Sequence, residues 1–250
     1  MPSPEPAAVA VSIVVPVRNE AENVAPLIAE IAAALDGGWA YEIIYVNDGS
    51  TDATAERLAA VMQQRGNLRQ IRHATSSGQS AAVRSGVRAA RGVIVATLDG
   101  DGQNDPVFLP DLISAIENGG DRVGLAAGQR IGRKDTGFKK IQSRIANGVR
   151  NAILRDGTRD TGCGLKAFRR EVFLTMPYFD GLHRFLPALV RREGYEIAYV
   201  DVVDRSRHSG ASNYGFFDRL WIGIMDLAGV WWLIRRKKPT PVVTEVMSND

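Results

Sequence analysis

The chain has 250 residues, of which 45% are apolar and 24% charged, and its formal net charge is +3. A chain of this length and composition can bury a full core, so we expect one large soluble domain that needs no cross-links. Cys163 is the only cysteine, which excludes an internal disulfide. No positively charged segment precedes the first apolar run, so we interpret that run as a strand rather than a signal peptide and expect a cytoplasmic location.

Short β-branched runs alternate with helical segments from residue 11 to about residue 121. The runs VSIVVPV, YEIIYV, LRQIRH, GVIVATLD and RVGLAAG are typical of buried strands. Helical patterns occupy residues 21–35, 52–64, 79–90 and 106–117. This alternation predicts an α/β fold with a mostly parallel sheet flanked by helices.

The composition changes after residue 129. Residues 129–159 hold nine Lys or Arg against two Asp, on a helical pattern over 138–154, which predicts a positively charged wall beside the sheet. A short strand LKAFRR, a helix over 182–192, a strand YEIAYVDVV and an irregular loop RSRHSGASNYG follow. We expect disorder over residues 1–9 and 239–250.

The last predicted helix, residues 216–236, has an apolar face and a basic end. Apolar side chains recur every three or four residues, and Trp231 and Trp232 precede the sequence RRKK. Its apolar core of 15 residues, 220–234, contains Asp226 and is shorter than the ~20 residues that span a bilayer. The pattern predicts a helix lying in the membrane surface. The alternative is a helix packed on the protein's own sheet or on a partner protein, because any core helix shows the same period.

Carboxylates are concentrated in LDGDGQNDP, at the end of the fourth predicted strand. Asp99, Asp101 and Gln103 offer hard oxygen ligands, which suit Mg²⁺ or Mn²⁺ and a substrate diphosphate. The alternative is a turn that caps the next helix, and Asp105 followed by Pro106 is a good helix start. The metal-binding interpretation applies to Asp99, Asp101 and Gln103, and the capping interpretation applies to Asp105 and Pro106.

Two further polar motifs end predicted strands. VNDGSTD places Asp48 where it could accept hydrogen bonds from a base or ribose, although a helix-capping turn explains the same residues. PVRNEAEN places Arg18 and Glu20 at the same edge, because parallel strands end together and ligands bind beyond their carboxyl ends. Neither GxGxxG nor GxxxxGK[ST] is present, which argues against a dinucleotide-binding protein and a phosphate-loop NTPase. His183 and His208 have no partner at ligand spacing, so we do not expect zinc.

These three strand-end motifs, in this order, resemble the family 2 glycosyltransferases. DTGCGLKAFRR, GLHRFLPAL and RSRHSGASNYG make the chain similar to the dolichol- or polyprenyl-phosphate mannosyltransferase branch over about residues 10–230. The resemblance implies an inverting enzyme with one GT-A type nucleotide-binding domain over 10–214. An amphipathic interfacial helix with a basic end would occupy 215–238.

The resemblance also implies roles for individual residues. Asp99, Asp101 and Gln103 would bind the metal ion, and Arg144 and Arg207 the acceptor phosphate. Catalytic roles would fall to Asp101, Asp160 and Arg130. The nucleotide sugar would be held by Pro16, Arg18, Glu20, Val46, Asp48, Gly100, Asp101, Gln103, Arg130, Arg207 and Asn213. Several positions differ from the usual pattern of the branch, namely Arg18, Asn47, Gly100, Asp204 and Asn213. These differences bear on the identity of the sugar donor more than on the type of reaction.

The resemblance implies transfer of a mannose- or glucose-type hexose from a GDP- or UDP-sugar to polyprenyl or dolichyl phosphate. The reaction would occur at the cytoplasmic face of the membrane, where a small membrane-protein partner is compatible with the last helix, and no nucleic acid is expected. The metal ion would stabilise the leaving diphosphate, and an anionic phosphate acceptor needs no strong base. One alternative is a related transferase with a sugar hydroxyl acceptor, in polysaccharide or glycolipid synthesis, using Asp160 as base. Another is a nonenzymatic basic module that binds membrane or nucleic acid, since charge alone does not choose between partners.

Overall fold

The computed structural model describes residues 8–131, 148–205 and 216–238, with side chains described from residue 221 onward in the last range. The predicted site residues Arg144, Arg207 and Asn213 lie outside these ranges. So do the terminal segments 1–7 and 239–250 and most of the helix predicted over 138–154. Residues 148–154 are helical.

Seven strands form one mixed sheet in the order β3-β2-β1-β4-β6-β5-β7. The strands are β1 Val11–Val17, β2 Tyr41–Asp48, β3 Leu68–His73, β4 Ile94–Thr97, β5 Val123–Arg130, β6 Lys166–Arg169 and β7 Glu196–Val202. Strand β1 pairs in parallel with β2 and β4, β2 pairs in parallel with β3, and β5 pairs in parallel with β7. Strand β6 runs antiparallel between β4 and β5, so the sheet is mostly parallel and the predicted fold class is confirmed.

Seven helices are labelled within the described ranges, in addition to the helical residues 148–154. They are α1 Val24–Leu35, α2 Thr54–Met62, α3 Gln79–Ala89, α4 Leu109–Asn118, α5 Arg170–Thr175, α6 Leu182–Arg192 and α7 Phe216–Arg236. A 3₁₀ turn over Pro106–Phe108 precedes α4. The Asp105 side chain accepts a hydrogen bond of 3.0 Å from the Val107 N–H, which confirms the predicted helix start.

Both faces of the sheet are covered, which explains why the central strands are apolar along their whole length. On one face Ile13 packs in a cluster with residues of α1 and α4, such as Leu27 and Leu112. On the other face Val14 packs with residues of α3 and α6, such as Val83 and Leu189. Each such buried side chain contributes about 1.5–3 kcal/mol, so the two clusters fix the strand ends that carry the polar motifs.

Helix α7 packs on α6 by one face and exposes apolar residues on another. Arg192 Nε donates to the Leu233 carbonyl at 3.1 Å, and Val230 is buried against the second cluster. Trp221 and Trp232 remain 65% and 55% exposed. The alternative of packing on the protein itself is therefore correct for one face, and the other face keeps the character predicted for membrane contact. No described helix is long and apolar enough to cross a bilayer.

Candidate active site

An open cleft of about 600 Å³ lies at the carboxyl edge of the sheet, where β1, β2 and β4 end. The structure brings seven of the predicted residues to this one cleft, namely Pro16, Arg18, Glu20, Asp48, Asp99, Gly100 and Asp101. Val46 is not among them, because its side chain is fully buried in the core under α3, against Gly86. The Val46 side chain in this position therefore cannot make the predicted contact with the nucleotide sugar.

The first two motifs are joined into one rigid unit. Asn19 has a left-handed backbone with φ 58°, a conformation that asparagine tolerates better than most residues. Its N–H donates to Ser50 Oγ at 3.0 Å, and its Oδ1 accepts from the Thr51 N–H at 2.8 Å. Asp52 Oδ1 accepts from the Thr54 N–H at 3.0 Å, so the capping interpretation of NDGSTD is correct for this residue. The loops after β1 and β2 hold each other in place.

Asp48 organises a third loop. Its Oδ1 accepts hydrogen bonds from His73 Nδ1 at 2.6 Å and the Ser77 N–H at 2.8 Å. Its Oδ2 accepts from Ser76 Oγ at 2.7 Å and the Gly78 N–H at 2.9 Å. Burial alone would raise the pKa of the Asp48 carboxyl, but these four donors outweigh it and hold the pKa below its ordinary value.

This saturation changes the interpretation of Asp48. Each of its oxygens already holds two donors, so a base or ribose could be bound only by sharing one of them. The loop that Asp48 holds, residues 75–78, lines the cleft beside it and was missed in the sequence. Its signal was the run TSSG directly before α3, which is rich in the residues that form tight polar turns.

Asp99 and Asp101 lie close enough to repel each other. Asp99 Oδ1 accepts from Gln79 Nε2 at 2.7 Å, and the Asp99 N–H donates to Asn104 Oδ1 at 2.9 Å. Burial and then the charge of Asp101 raise the pKa of Asp99 to about 6. A Cβ on Gly164 would lie 2.5 Å from Asp99 Oδ2, so only glycine fits there.

This pair fits a divalent cation in a partly open site. Asp101 is buried and Asp99 is partly buried, and two carboxylates that repel each other in such a site gain stability when a cation joins them. Mg²⁺ is commonly held by one or two carboxylates, with substrate phosphates and water completing the set. The residues described here contain no group of three His, Cys, Asp or Glu that could hold a metal, so the remaining ligands would come from elsewhere.

Backbone conformation, packing and hydrogen bonds explain the other residues of this loop. Gly102 has φ 74°, a region that favours glycine. A Cβ on Gly100 would lie 2.2 Å from Val17 Cγ1. Close packing on β1 therefore explains this glycine, and no contact with the nucleotide sugar is needed to explain it. The Gln103 N–H donates to Asp101 Oδ1 at 3.1 Å and its carbonyl accepts from the Arg205 N–H at 2.9 Å. The role of the Gln103 side chain as a metal ligand stays a prediction.

Arg130, at the end of β5, joins two carboxylates in an ion cluster. Its Nε and Nη2 donate to Asp160 at 2.5 and 2.8 Å, and its Nη1 donates to Asp204 at 3.0 Å. These bonds, with that to Asp160 the strongest, raise the pKa of Arg130 above its ordinary value. Asn104 Nδ2 donates to Asp204 at 3.2 Å and so ties this ion cluster to the loop of Asp99. Both oxygens of Asp160 are engaged by a guanidinium, which opposes its predicted role as a general base.

A smaller cavity of about 220 Å³, which we call the side chamber, opens beside the cleft. It shares Pro16, Gln79 and Asp99 with the cleft, and it is also lined by Thr161, Cys163, Lys166, His183, Arg184 and Leu186. Sequence reasoning assigned no role to Lys166 or His183. Both lie in motifs that served only to narrow the family resemblance, GLKAFRR and GLHRFLPAL.

A cleft with paired carboxylates at the carboxyl edge of a mostly parallel sheet defines an α/β protein suited to a phosphorylated ligand and a cation. The sequence model described as Glycosyl transferase family 2 matches residues 12–176. The chain belongs to this family, and the predicted resemblance is confirmed.

Two curated proteins show the similarity over most of the chain. The dodecaprenyl-phosphate galacturonate synthase of Rhizobium johnstonii is 36% identical over 231 residues, which are 90% of this chain and 68% of that protein. The undecaprenyl-phosphate 4-deoxy-4-formamido-L-arabinose transferase of Edwardsiella ictaluri is 34% identical over 207 residues, which are 82% of this chain and 63% of that protein. The chain therefore spans about two thirds of the length of these relatives. Their names support the polyprenyl-phosphate part of the predicted branch and do not mention mannose.

A solved structure confirms the predicted fold class. Glucosyl-3-phosphoglycerate synthase from Mycobacterium tuberculosis, in complex with phosphoglyceric acid, superposes with a TM-score of 0.67 at 20% identity. The match covers 91% of this chain and 80% of that chain. The same enzyme is known in complex with Mn²⁺ and UDP-glucose, with a TM-score of 0.66. At this identity the likeness establishes the GT-A type α/β architecture alone.

Proposed function

We propose that the chain is a glycosyltransferase that moves a sugar from a nucleotide sugar to polyprenyl phosphate. One observation carries the proposal: the loops of Arg18, Asp48 and Asp99 line one cleft at the carboxyl edge of the sheet. Family membership supports the reaction class, and the names of both relatives support a polyprenyl phosphate acceptor. We extend the proposal to a hexose-type sugar carried on GDP or UDP.

The donor diphosphate would lie against Asp99 and Asp101. These carboxylates would hold Mg²⁺ or Mn²⁺, which when bound supplies Lewis-acid stabilisation of the charge on the leaving diphosphate. Gln79 holds Asp99 in place at 2.7 Å. Arg18, exposed at the cleft mouth, adds a positive charge on the nucleotide side. Bound Mn²⁺ with UDP-glucose in the Mycobacterium enzyme supports this choice of ions.

The ion cluster of Arg130 favours a phosphate acceptor over a sugar hydroxyl. An acceptor phosphate is already an anion, so one of its oxygens can attack the anomeric carbon without a base while the nucleoside diphosphate leaves from the opposite face. A hydroxyl would need a base, and Asp160 is engaged by Arg130 at 2.5 and 2.8 Å. Arg130 could bind an anionic headgroup by releasing one of its two carboxylates, Asp160 or Asp204.

The membrane surface is the proposed partner of α7. Its exposed face carries Trp221, Ile222 and Trp232, and the Arg236 guanidinium lies 5.9 Å from the Trp232 ring. Exposed tryptophan beside arginine suits a membrane–water interface, because the ring can lie in the apolar layer while its N–H group stays in contact with water. We propose peripheral binding at the cytoplasmic face. A small membrane protein covering this face is the alternative partner.

The test is nucleoside diphosphate release. The protein is incubated with Mn²⁺, polyprenyl phosphate and a panel of GDP- and UDP-sugars. We expect release with at least one donor, and Asp101→Asn should lower its rate about 10²- to 10³-fold because several kcal/mol of charge stabilisation are lost.

Asp111→Asn is the matched control for this test. It changes an exposed carboxylate in the first turn of α4, outside the cleft, and should leave the rate unchanged. A normal rate in Asp101→Asn would contradict the role of the carboxylate pair. No release from any donor would contradict the proposed function itself and favour a binding module.

A further inference from the structure

We propose that the side chamber holds the transferred sugar and selects a sugar that carries a carboxylate, a uronic acid, through Lys166 and His183. This inference rests on the proposed function and names its substrate class. It concerns residues to which neither the sequence motifs nor the family resemblance gave a role.

The side chamber is placed and sized for one sugar ring. It meets the cleft at Asp99, where the donor diphosphate would lie, so the sugar attached to that diphosphate extends into the chamber. Its volume of about 220 Å³ is below the ~300 Å³ at which pockets for drug-sized ligands begin. A single ring fits this space better than a whole nucleotide does.

Lys166 brings a positive charge into the chamber without a full counter-charge. Its side chain projects from β6, is 4% exposed, and Nζ donates to the Cys163 carbonyl. That carbonyl uses one of its three N–H donors. Burial lowers the pKa of the Lys166 ammonium group, the charges of Asp99 and Asp160 act in the opposite direction, and none of the described residues forms an ion pair with it. Because buried charges are normally paired, this site is complete only when an anion joins it.

His183 offers a second donor in a fixed orientation. Ser80 Oγ accepts from the Gly181 N–H at 3.0 Å, so its own hydrogen is available to His183 Nδ1 at 2.7 Å. In the tautomer that uses this donor, Nδ1 accepts and the ring proton is on Nε2. Burial lowers the pKa of His183 to about 3, so the ring stays neutral and Nε2–H stays a donor at physiological pH.

A carboxylate on the sugar would use both donors. A uronic acid differs from its parent hexose only by a carboxylate in place of the hydroxymethyl group. The carboxylate can pair with the Lys166 ammonium, whereas a hydroxymethyl group leaves this charge unpaired in a desolvated site. A charge-assisted hydrogen bond of this kind corresponds to about a 10- to 100-fold preference in kcat/KM.

Matched donor pairs test the inference directly. Transfer to polyprenyl phosphate with Mn²⁺ is compared for UDP-galacturonate against UDP-galactose, UDP-glucuronate against UDP-glucose, and GDP-mannuronate against GDP-mannose. In at least one pair we expect the uronate donor to be preferred by about 10-fold or more in kcat/KM. A preference for the neutral member of every transferred pair would overturn the inference and leave the proposed function standing. No transfer from any donor, these or neutral ones, would instead contradict the proposed function.

Variants of Lys166 separate its charge from its packing. Lys166→Met keeps the length of the side chain and should reduce the uronate preference to about threefold or less, because the charged donor is lost. Lys166→Arg keeps the charge and should retain a clear preference. Lys237→Met is the matched control, since Lys237 pairs with Glu193 at 2.8 Å far from the chamber, and should keep the full preference. An unchanged preference in Lys166→Met would overturn the inference.

Donor binding to the unmodified protein keeps the test decisive if Lys166→Met does not fold. Calorimetry with Mn²⁺ and no acceptor gives the Kd of each donor in a pair. We expect the uronate to bind about 10-fold more tightly than its neutral partner. Equal or weaker binding of the uronate in all pairs would overturn the inference without use of any variant.

Discussion

The cleft, which we propose as the donor side of the site, and the Arg130 ion cluster, which we propose as its acceptor side, are held together by different kinds of interaction. On the donor side, the loops after β1, β2 and β3 are fixed by side chains that accept hydrogen bonds from backbone N–H groups, as Asp48 does from Ser77 and Gly78. On the acceptor side, the segments near residues 130, 160 and 204 are joined by charged side chains, with Arg130 between Asp160 and Asp204.

This difference indicates which side can rearrange during a reaction. A carboxylate that holds backbone donors fixes one loop geometry and has no capacity left for exchange. A guanidinium that holds two carboxylates can exchange one of them for a phosphate, because phosphate offers the same bidentate oxygen geometry. The proposed donor side is therefore preorganised, and the Arg130 cluster is the part that we expect to change partners when a lipid phosphate binds.

Among the variants that test this comparison, Arg130→Lys should give the largest effect. Lysine keeps the charge but cannot bridge two carboxylates with a planar fork, so both the cluster and its grip on phosphate are lost. We expect kcat/KM for polyprenyl phosphate to fall about 100-fold, the equivalent of one or two charge-assisted hydrogen bonds, while the KM of the donor changes little. Steady-state kinetics with each substrate varied in turn measures this.

Arg159→Lys is the control for Arg130→Lys. Arg159 donates to Gln129 beside the same strand but is exposed, so its substitution should leave both constants near those of the parent protein. If Arg130→Lys raised the donor KM as much as that of the acceptor, the division of the cleft into two sides would be wrong.

Asp48→Asn should mainly affect stability. An amide has only one accepting oxygen, and its NH₂ group would face two of the present donors, so at least two hydrogen bonds are lost. We expect the free energy of unfolding to fall by about 2–3 kcal/mol and the donor KM to rise, because the loop over residues 75–78 loosens. Urea denaturation measures the first effect. Among the described residues, the exposed Asp36 carboxylate accepts from one side chain, the Tyr41 hydroxyl, so Asp36→Asn should cost less than half as much.

The pH dependence of the Asp48→Asn effect has a definite sign. The folded-state pKa of Asp48 lies below its ordinary value, so its contribution is present above the unfolded pKa of about 3.9 and is lost as pH falls through the folded pKa. The unfolding free energies of the two proteins should therefore differ most above pH ~5 and converge below pH ~4. A difference that grew on acidification would contradict this assignment.

The sequence predicts the donor side better than the acceptor side. Asp48 and Asp99 follow β-branched runs, and parallel strands end at one edge, so their convergence on one cleft can be predicted without distances. The antiparallel direction of β6 could not be predicted, because it depends on the path of the chain between residues 131 and 165. The Arg130 cluster joins residues 30 and 74 positions apart, and no local pattern reports such contacts.

The environment of two residues in the side chamber could not be predicted from the sequence either. Lys166 looks like one more surface lysine in the sequence, and only the packing of β6 between β4 and β5 buries it. His183 has no partner at ligand spacing in the sequence, and the residue that it contacts, Ser80, is 103 positions away. Burial and long-range pairing, which decide the chemistry here, are properties of the fold.

Arg205→Gln should give the smallest effect and shows what burial adds to an ion pair. Arg205 contacts Glu30 and Asp105 at 2.7 Å, but its side chain is 36% exposed and that of Glu30 41% exposed, against 16% for Arg130. Water screens such a pair, so we expect a loss of less than about 1 kcal/mol in unfolding free energy and no change in either KM. The loss of unfolding free energy in Arg205→Gln should vanish in 1 M salt, whereas the corresponding loss in Arg130→Lys should largely remain. Equal salt sensitivity of the two variants would show that the Arg130 cluster is an ordinary surface ion pair, and the acceptor side would then lose its special role.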